Sequence, residues 1–166
     1  MINIMVGVFI LLGTFGFYAE AGVKNPIHSS KSFKEKEEYL PILNRWSGDY
    51  PIEPLDRFKN WHAQSSHWGY IGDEAEFASF WEAFREGKKA PEVDFGKNIV
   101  VFVSGDRTFK TIFIAKVTLK DHVAEMVADG NSSSSPSSDR LAMALAVIPR
   151  SGVHFVRWGR EQIAVE

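Results

Sequence analysis

The stretch WHAQSSHWGY, residues 61 to 70, sets His62 and His67 around the pair Ser65 and Ser66. Two imidazoles can ligate a metal, and an imidazole beside a hydroxyl can make serine a nucleophile. The spacing argues against both. A helical zinc motif uses histidines at i and i+4, whereas four residues separate these two. A nucleophilic serine needs a base oriented by a third group, and no Gly-x-Ser-x-Gly elbow occurs here. As a strand, SSHWGYIG sends Ser66, Trp68 and Tyr70 to one face and Ser65, His67, Gly69 and Ile71 to the other. His62 then falls in a loop before the strand.

Further candidates lie downstream. In APEVDFGKN, Glu92 and Asp94 alternate just before an apolar run. Two carboxylates so placed could do acid–base work or hold a cation. A turn in which Asp94 accepts local backbone amides is the simpler expectation. Arg107 in SGDRT sits at the tip of a predicted Gly-Asp hairpin, where a recognition arginine would be accessible. The polar stretch DGNSSSSPSSDR, residues 129 to 140, reads as a solvated loop able to order on a partner. His28, His122 and His154 are scattered across tether, turn and strand. Of five tryptophans, Trp81 belongs to a helix face, while Trp46, Trp61, Trp68 and Trp158 fall in loops or near strand ends. Half-exposed indoles anchor protein interfaces and sugar rings, so these four and Arg107 form the candidate binding set. The alternative is that they cap the open ends of a core.

These residues need elements to hold them. In DEAEFASFWEAFREG, Phe77, Phe80, Trp81 and Phe84 follow the i, i+3, i+4, i+7 spacing of one helix face. Asp73 and Glu76 make a capping box and Gly87 a stop. So aromatic a face requires a large flat partner, which a sheet supplies. NIVVFVS is apolar at both parities, the pattern of a central strand covered on both sides. TIFIAKVTL points Phe113, Ala115, Val117 and Leu119 one way and Ile112, Ile114, Lys116 and Thr118 the other. Lys120 to His122 is a tight turn into VAEMVA. In LAMALAVI, Leu141, Met143, Leu145 and Val147 alternate with Ala142, Ala144 and Ala146, which predicts a strand whose small face admits a close neighbour. VHFVRW and IAV follow. Short turns between strands mean mostly antiparallel pairing. The predicted class is α+β: a twisted, mostly antiparallel sheet of five to seven strands with one main amphipathic helix on a face.

The chain has 166 residues, 45% hydrophobic and 24% charged, the composition of one globular domain. Ile4 to Tyr18 carries no charge, and Ala19-Glu20-Ala21 follows. This pattern predicts a signal peptide over residues 1–21, cleaved after Ala21, with an uncleaved anchor as the alternative. Residues 22–45 are polar and charge-mixed, expected to be a tether, and 46–166 form the domain. Removing residues 1–21 takes away Glu20 and no base, so the remainder is near neutral. That gives no electrostatic reason for nucleic acid or an anionic membrane as partner, and no stable membrane insertion is expected after cleavage. The absence of cysteine excludes disulfides, a thiol nucleophile and a lipidated cysteine. An exported chain of this kind suits a bacterial envelope, in the periplasm or secreted.

FASFWEAF, PEVDFGKNIVVFVSG, IAKVTL and AVIPRSGVHFVR together resemble the C-terminal domain of the bacterial protease-complex subunit PrcB and its relatives. The shared pattern is a helix with Trp-x-x-Phe, a Val-Asp-Phe lead into an apolar strand ending at Gly, and a late Pro before the closing hairpin. It covers roughly residues 65 to 158. The resemblance implies an envelope-associated accessory domain that binds another protein and has no catalytic residues and no cofactor. The expected function is therefore an exported, non-catalytic binding module for an envelope or secreted protein, a protease among the candidates. An exposed sheet edge could also accept an extended peptide. Two alternatives stand beside it: a small hydrolase or metal-dependent enzyme using His62, His67, Glu92 or Asp94, and a glycan-binding domain using exposed tryptophans.

Overall fold

Among the described residues nine strands and one helix follow in the order βββαββββββ. The computed structural model describes residues 37–51, 67–132 and 140–166. All belong to one unit, Lys34–Glu166. The strands are β1 (Glu38–Leu40), β2 (Asn44–Pro51), β3 (Trp68–Ile71), β4 (Asn98–Ser104), β5 (Phe109–Lys120), β6 (Val123–Ser132), β7 (Arg140–Pro149), β8 (Phe155–Trp158) and β9 (Glu161–Ala164); α1 is Glu74–Phe84. The α+β class, the single helix and the mostly antiparallel pairing are as expected. The strands are more numerous, however, and they divide into two sheets, β1-β5-β6-β8-β9 and β2-β7-β4-β3. Among the described strands only β6 and β8 pair in parallel.

The helix forms where the spacing places it. Asp73 caps it, with Oδ1 accepting from the Glu76 amide at 2.8 Å, and Gly87 follows its end at φ +70°. Its face buries Phe77, Phe80, Trp81 and Phe84 against Tyr50, Val100, Phe102, Leu141, Met143, Leu145 and Val147 of the four-stranded sheet. Each such aromatic contributes about 1.5–3 kcal/mol by leaving water.

The opposite face of that sheet packs on the five-stranded one. Here β7 presents Ala142, Ala144, Ala146 and Ile148, and β4 presents Ile99, Val101 and Val103. The alternation in LAMALAVI therefore has a cause: large side chains reach up to the helix, and alanines let β5 approach from below. Ile112, Ile114 and Val117 of β5 fill that space with Ala124, Met126 and Val156. The layers are helix, sheet, sheet.

Three expectations change. The bulge between Ile114 and Lys116 shifts parity, so Ile112 and Ile114 share the core face with Val117, while Phe113 and Ala115 turn out. Strict alternation cannot show such a shift. The turn after β4 is not a hairpin: β4 is already bonded on both edges, by β3 and β7, so the chain crosses to the other sheet. At that crossing Phe109 folds over Gly105, where a Cβ would lie 2.6 Å from the Phe109 Cβ. Finally, the segment expected to be a tether to residue 45 contains β1 and the start of β2. Leu40 and Ile42 pack against the inter-sheet core, which draws this polar stretch into the fold.

Candidate functional site

Among the described residues, His67 and Asp94 lie apart. The carbonyl of His67 accepts the Ser104 amide at 2.7 Å, at one end of β4, and the carbonyl of Asp94 accepts the Asn98 amide at 2.9 Å, at the other. Six residues of strand put these ends roughly 20 Å apart. Asp94 shapes a turn instead: Oδ1 accepts the Gly96 amide at 3.1 Å and Oδ2 pairs with Lys97 at 3.0 Å. The Lys97 side chain, aided by its charge and by the Gly96 and Lys97 amides, holds the Asp94 carboxyl below the ordinary value. Glu92 lies on the rim of a groove of about 450 Å³ floored by Phe77, Ala90, Val93 and Phe95. His62, Ser65, Ser66 and Trp61 lie outside the described residues. Among the described residues no three His, Asp or Glu side chains gather as metal ligands would.

Three tryptophans of the set, Trp46, Trp68 and Trp158, lie among the described residues. Trp68 is buried between the sheets, a correction to its expected half-exposure: the strand parity that turns it inward is the one that buries Tyr70. Trp46 lies half-buried against the helix, 5.1 Å from Trp81 and 5.9 Å from Phe77, centroid to centroid. Trp158 is half-buried at the margin of the inter-sheet core. Arg107 is exposed in the crossing after β4, as expected of a loop tip. Beside it the Thr108 hydroxyl and amide bond Asp106 Oδ1 at 2.5 and 2.7 Å, and these bonds lower the Asp106 pKa.

What the fold assembles is a face. The helix covers the outer side of the four-stranded sheet, and no described helix covers the outer side of the five-stranded one. Antiparallel sheets often leave one face to water, and such a face is then polar. This one is mixed. Register places Tyr39 opposite Thr118, Thr118 opposite Glu125, Glu125 opposite Arg157 and Arg157 opposite Gln162, a row across all five strands. Arg157 ties the row together, 3.6 Å from Glu125 and 3.2 Å from Gln162. Beside the row a depression of about 330 Å³ is lined by Glu37, Thr118, Lys120, Asp121, Val123, Glu125 and Arg157. Thr118, though on the outer side, is 5% exposed beneath these long neighbours.

Exposed apolar side chains stand in the row and beside it. Tyr39, Phe113, Val127 and Phe155 are 65%, 40%, 38% and 36% exposed, and by register all four stand on this outer face. Lys116 lies over the Tyr39 ring, 5.3 Å from its centroid. Sequence reasoning missed these residues. Alternation groups Phe113 with Val117 and Leu119 because the bulge that exposes it leaves no mark in composition, and Tyr39 lies in the expected tether.

The class these features define is an α+β protein of three layers in which no described helix covers one sheet face. Comparison with protein-family models, curated proteins and solved structures finds no match.

Proposed function

We propose that this chain is an exported accessory module without catalytic residues of its own, and that it engages another envelope or secreted protein through the bare face of its five-stranded sheet. The observation that carries the reading is the placement of Tyr39, Phe113, Val127 and Phe155 together on that face. Singly, exposed apolar residues are ordinary. Gathered around a hydrogen-bonded polar row, they offer what a protein interface uses: apolar anchors for affinity and fixed charges for register. The face carries Lys116, Lys120 and Arg157 beside Glu37, Asp121 and Glu125, a balance that suits a protein surface better than a polyanion.

Export rests on the uncharged run Ile4 to Tyr18 and the Ala-Glu-Ala that follows. Among the described residues no helix is long and apolar enough to cross a membrane. The PrcB resemblance adds support for an accessory role, and the sequence offers no cysteine to carry a lipid.

The test compares two forms of the chain in the exporting cell. Phe113→Ser with Val127→Ser alters only outward side chains and should leave the fold intact by circular dichroism. The wild type is expected to crosslink to a discrete partner in the envelope fraction that the double variant loses. Equal recovery by both forms would refute the assignment of this face. N-terminal sequencing of the recovered chain should begin at Gly22; a chain still starting at Met1 would refute cleavage.

A further inference from the structure

The edge at β2 and the edge at β9 differ in how their outward backbone groups are engaged. On β2 three of the outward backbone groups are taken by side chains: Asn44 Oδ1 accepts the Arg45 amide at 2.8 Å, Arg85 donates to the Ser47 carbonyl, and Arg140 donates to the Asp49 carbonyl at 3.0 Å. Such caps prevent another strand from adding. The edge at β9 has none. Val165 donates to the His154 carbonyl at 2.9 Å, which fixes the odd-numbered residues as those bonded to β8. Gln162 and Ala164 therefore aim their N–H and C=O groups away from the sheet, and no backbone hydrogen bond engages them there. Both residues are exposed.

We propose that this edge pairs antiparallel with the same edge of a second copy of the chain, joining two five-stranded sheets into one continuous sheet. The inference goes beyond the proposed function and does not rest on it. One register uses every free group: Gln162 opposite Ala164 of the second copy and Ala164 opposite its Gln162, each pair exchanging both bonds. Shifting by two residues in one direction would enlist Glu166, whose amide already donates to the Tyr70 hydroxyl at 2.9 Å. Shifting the other way enlists Arg160, which belongs to the β8–β9 turn.

The favoured register has two further consequences. Ile163, half-buried, faces its own copy across the two-fold axis, in the closer, non-hydrogen-bonded kind of pair. Arg160 at one end of the edge stands opposite Glu166 at the other, so the charges of an antiparallel pair are complementary, whereas a parallel pair would set like against like. A second copy thus fits this edge in backbone bonding, apolar contact and charge.

Sedimentation equilibrium of the full chain tests the pairing. The wild type should dimerise. Ala164→Pro removes only an outward N–H that the fold leaves unused, so it should keep the fold and weaken association about tenfold or more. Arg160→Glu should weaken it as well, and Arg160→Glu with Glu166→Arg should restore it. Should the proline variant fail to fold, the charge reversal and its rescue decide alone. A wild type monomeric up to about 1 mM, or association that Arg160→Glu leaves unchanged, would overturn the proposal.

Discussion

The imidazole of His122 lies flat on that of His154, ring centroids 4.3 Å apart and planes 14° from parallel. His122 Nδ1 donates to the Gly152 carbonyl at 3.0 Å, and the His122 carbonyl accepts the amides of His154 and Phe155. These contacts tie the β5–β6 turn to the start of β8. They also hold Asp121 and His122 at φ 51° and 65°, a two-residue turn with both residues left-handed. The stacked pair thus serves to hold the turn against β8.

The turn supplies a stability prediction. His122→Ala and His122→Gly lose the same ring and the same bond to Gly152, but only alanine retains a Cβ in the left-handed region. The glycine variant should be the more stable by about 1 kcal/mol in chemical denaturation. A more stable alanine variant would contradict this account of the turn.

The two faces of β7 make a second prediction. Ala144 is fully buried between the sheets, and Leu145 is fully buried beneath the helix. Ala144→Leu forces the sheets apart and should cost about 1–3 kcal/mol or more. Leu145→Ala leaves a cavity and should cost about 2–5 kcal/mol. Thermal unfolding of both measures this; a neutral Ala144→Leu would mean that the sheets are not closely packed there.

How far the sequence revealed this arrangement depended on whether a feature was local. The helix was legible because Asp73, the aromatic face and Gly87 each act within a turn of their neighbours. The strand LAMALAVI was legible because alternation of large and small side chains encodes its two different covers. The split into two sheets was not, since it depends on which edges of β4 are already occupied. Nor was the bare face. A single bulge after Ile114 decides that Phe113 points outward, and a one-residue shift in a strand leaves composition unchanged. For a similar reason His67 and Asp94 come to opposite ends of one strand, and sequence distance does not report that.

Asp94 gives a pH prediction. Its pKa is depressed in the folded chain, so its contribution is fully present above the ordinary carboxylate pKa of about 3.9 and is lost as pH falls through the depressed value. Asp94→Asn should therefore lower the Tm at neutral pH, modestly and less so in high salt, because the pair with Lys97 is exposed. The gap from wild type should close on acidification below that range. A gap that is unchanged or wider in acid would show that the carboxylate is not the source.

Arg85 guards an edge. It donates to the Ser47 carbonyl, lies over Gly48, and stacks 4.8 Å from the centroid of the Phe84 ring. Arg85→Ala should cost about 1 kcal/mol and increase aggregation on heating, since the β2 edge loses a cap. Light scattering during thermal unfolding reads both effects. Unchanged scattering and Tm would mean that the arginine is incidental.

The central claim is that the bare face of the five-stranded sheet is where a partner protein sits. Its most direct measurement is site-specific photo-crosslinking in the exporting cell, with the photoreactive side chain placed in turn at Phe113, Val127 and Phe155, and at Glu82 and Glu86 on the helix side. Adducts of one discrete mass from the three sheet positions, and none from the helix positions, are the expected result. Adducts confined to the helix side, or no adduct from any sheet position, would contradict it.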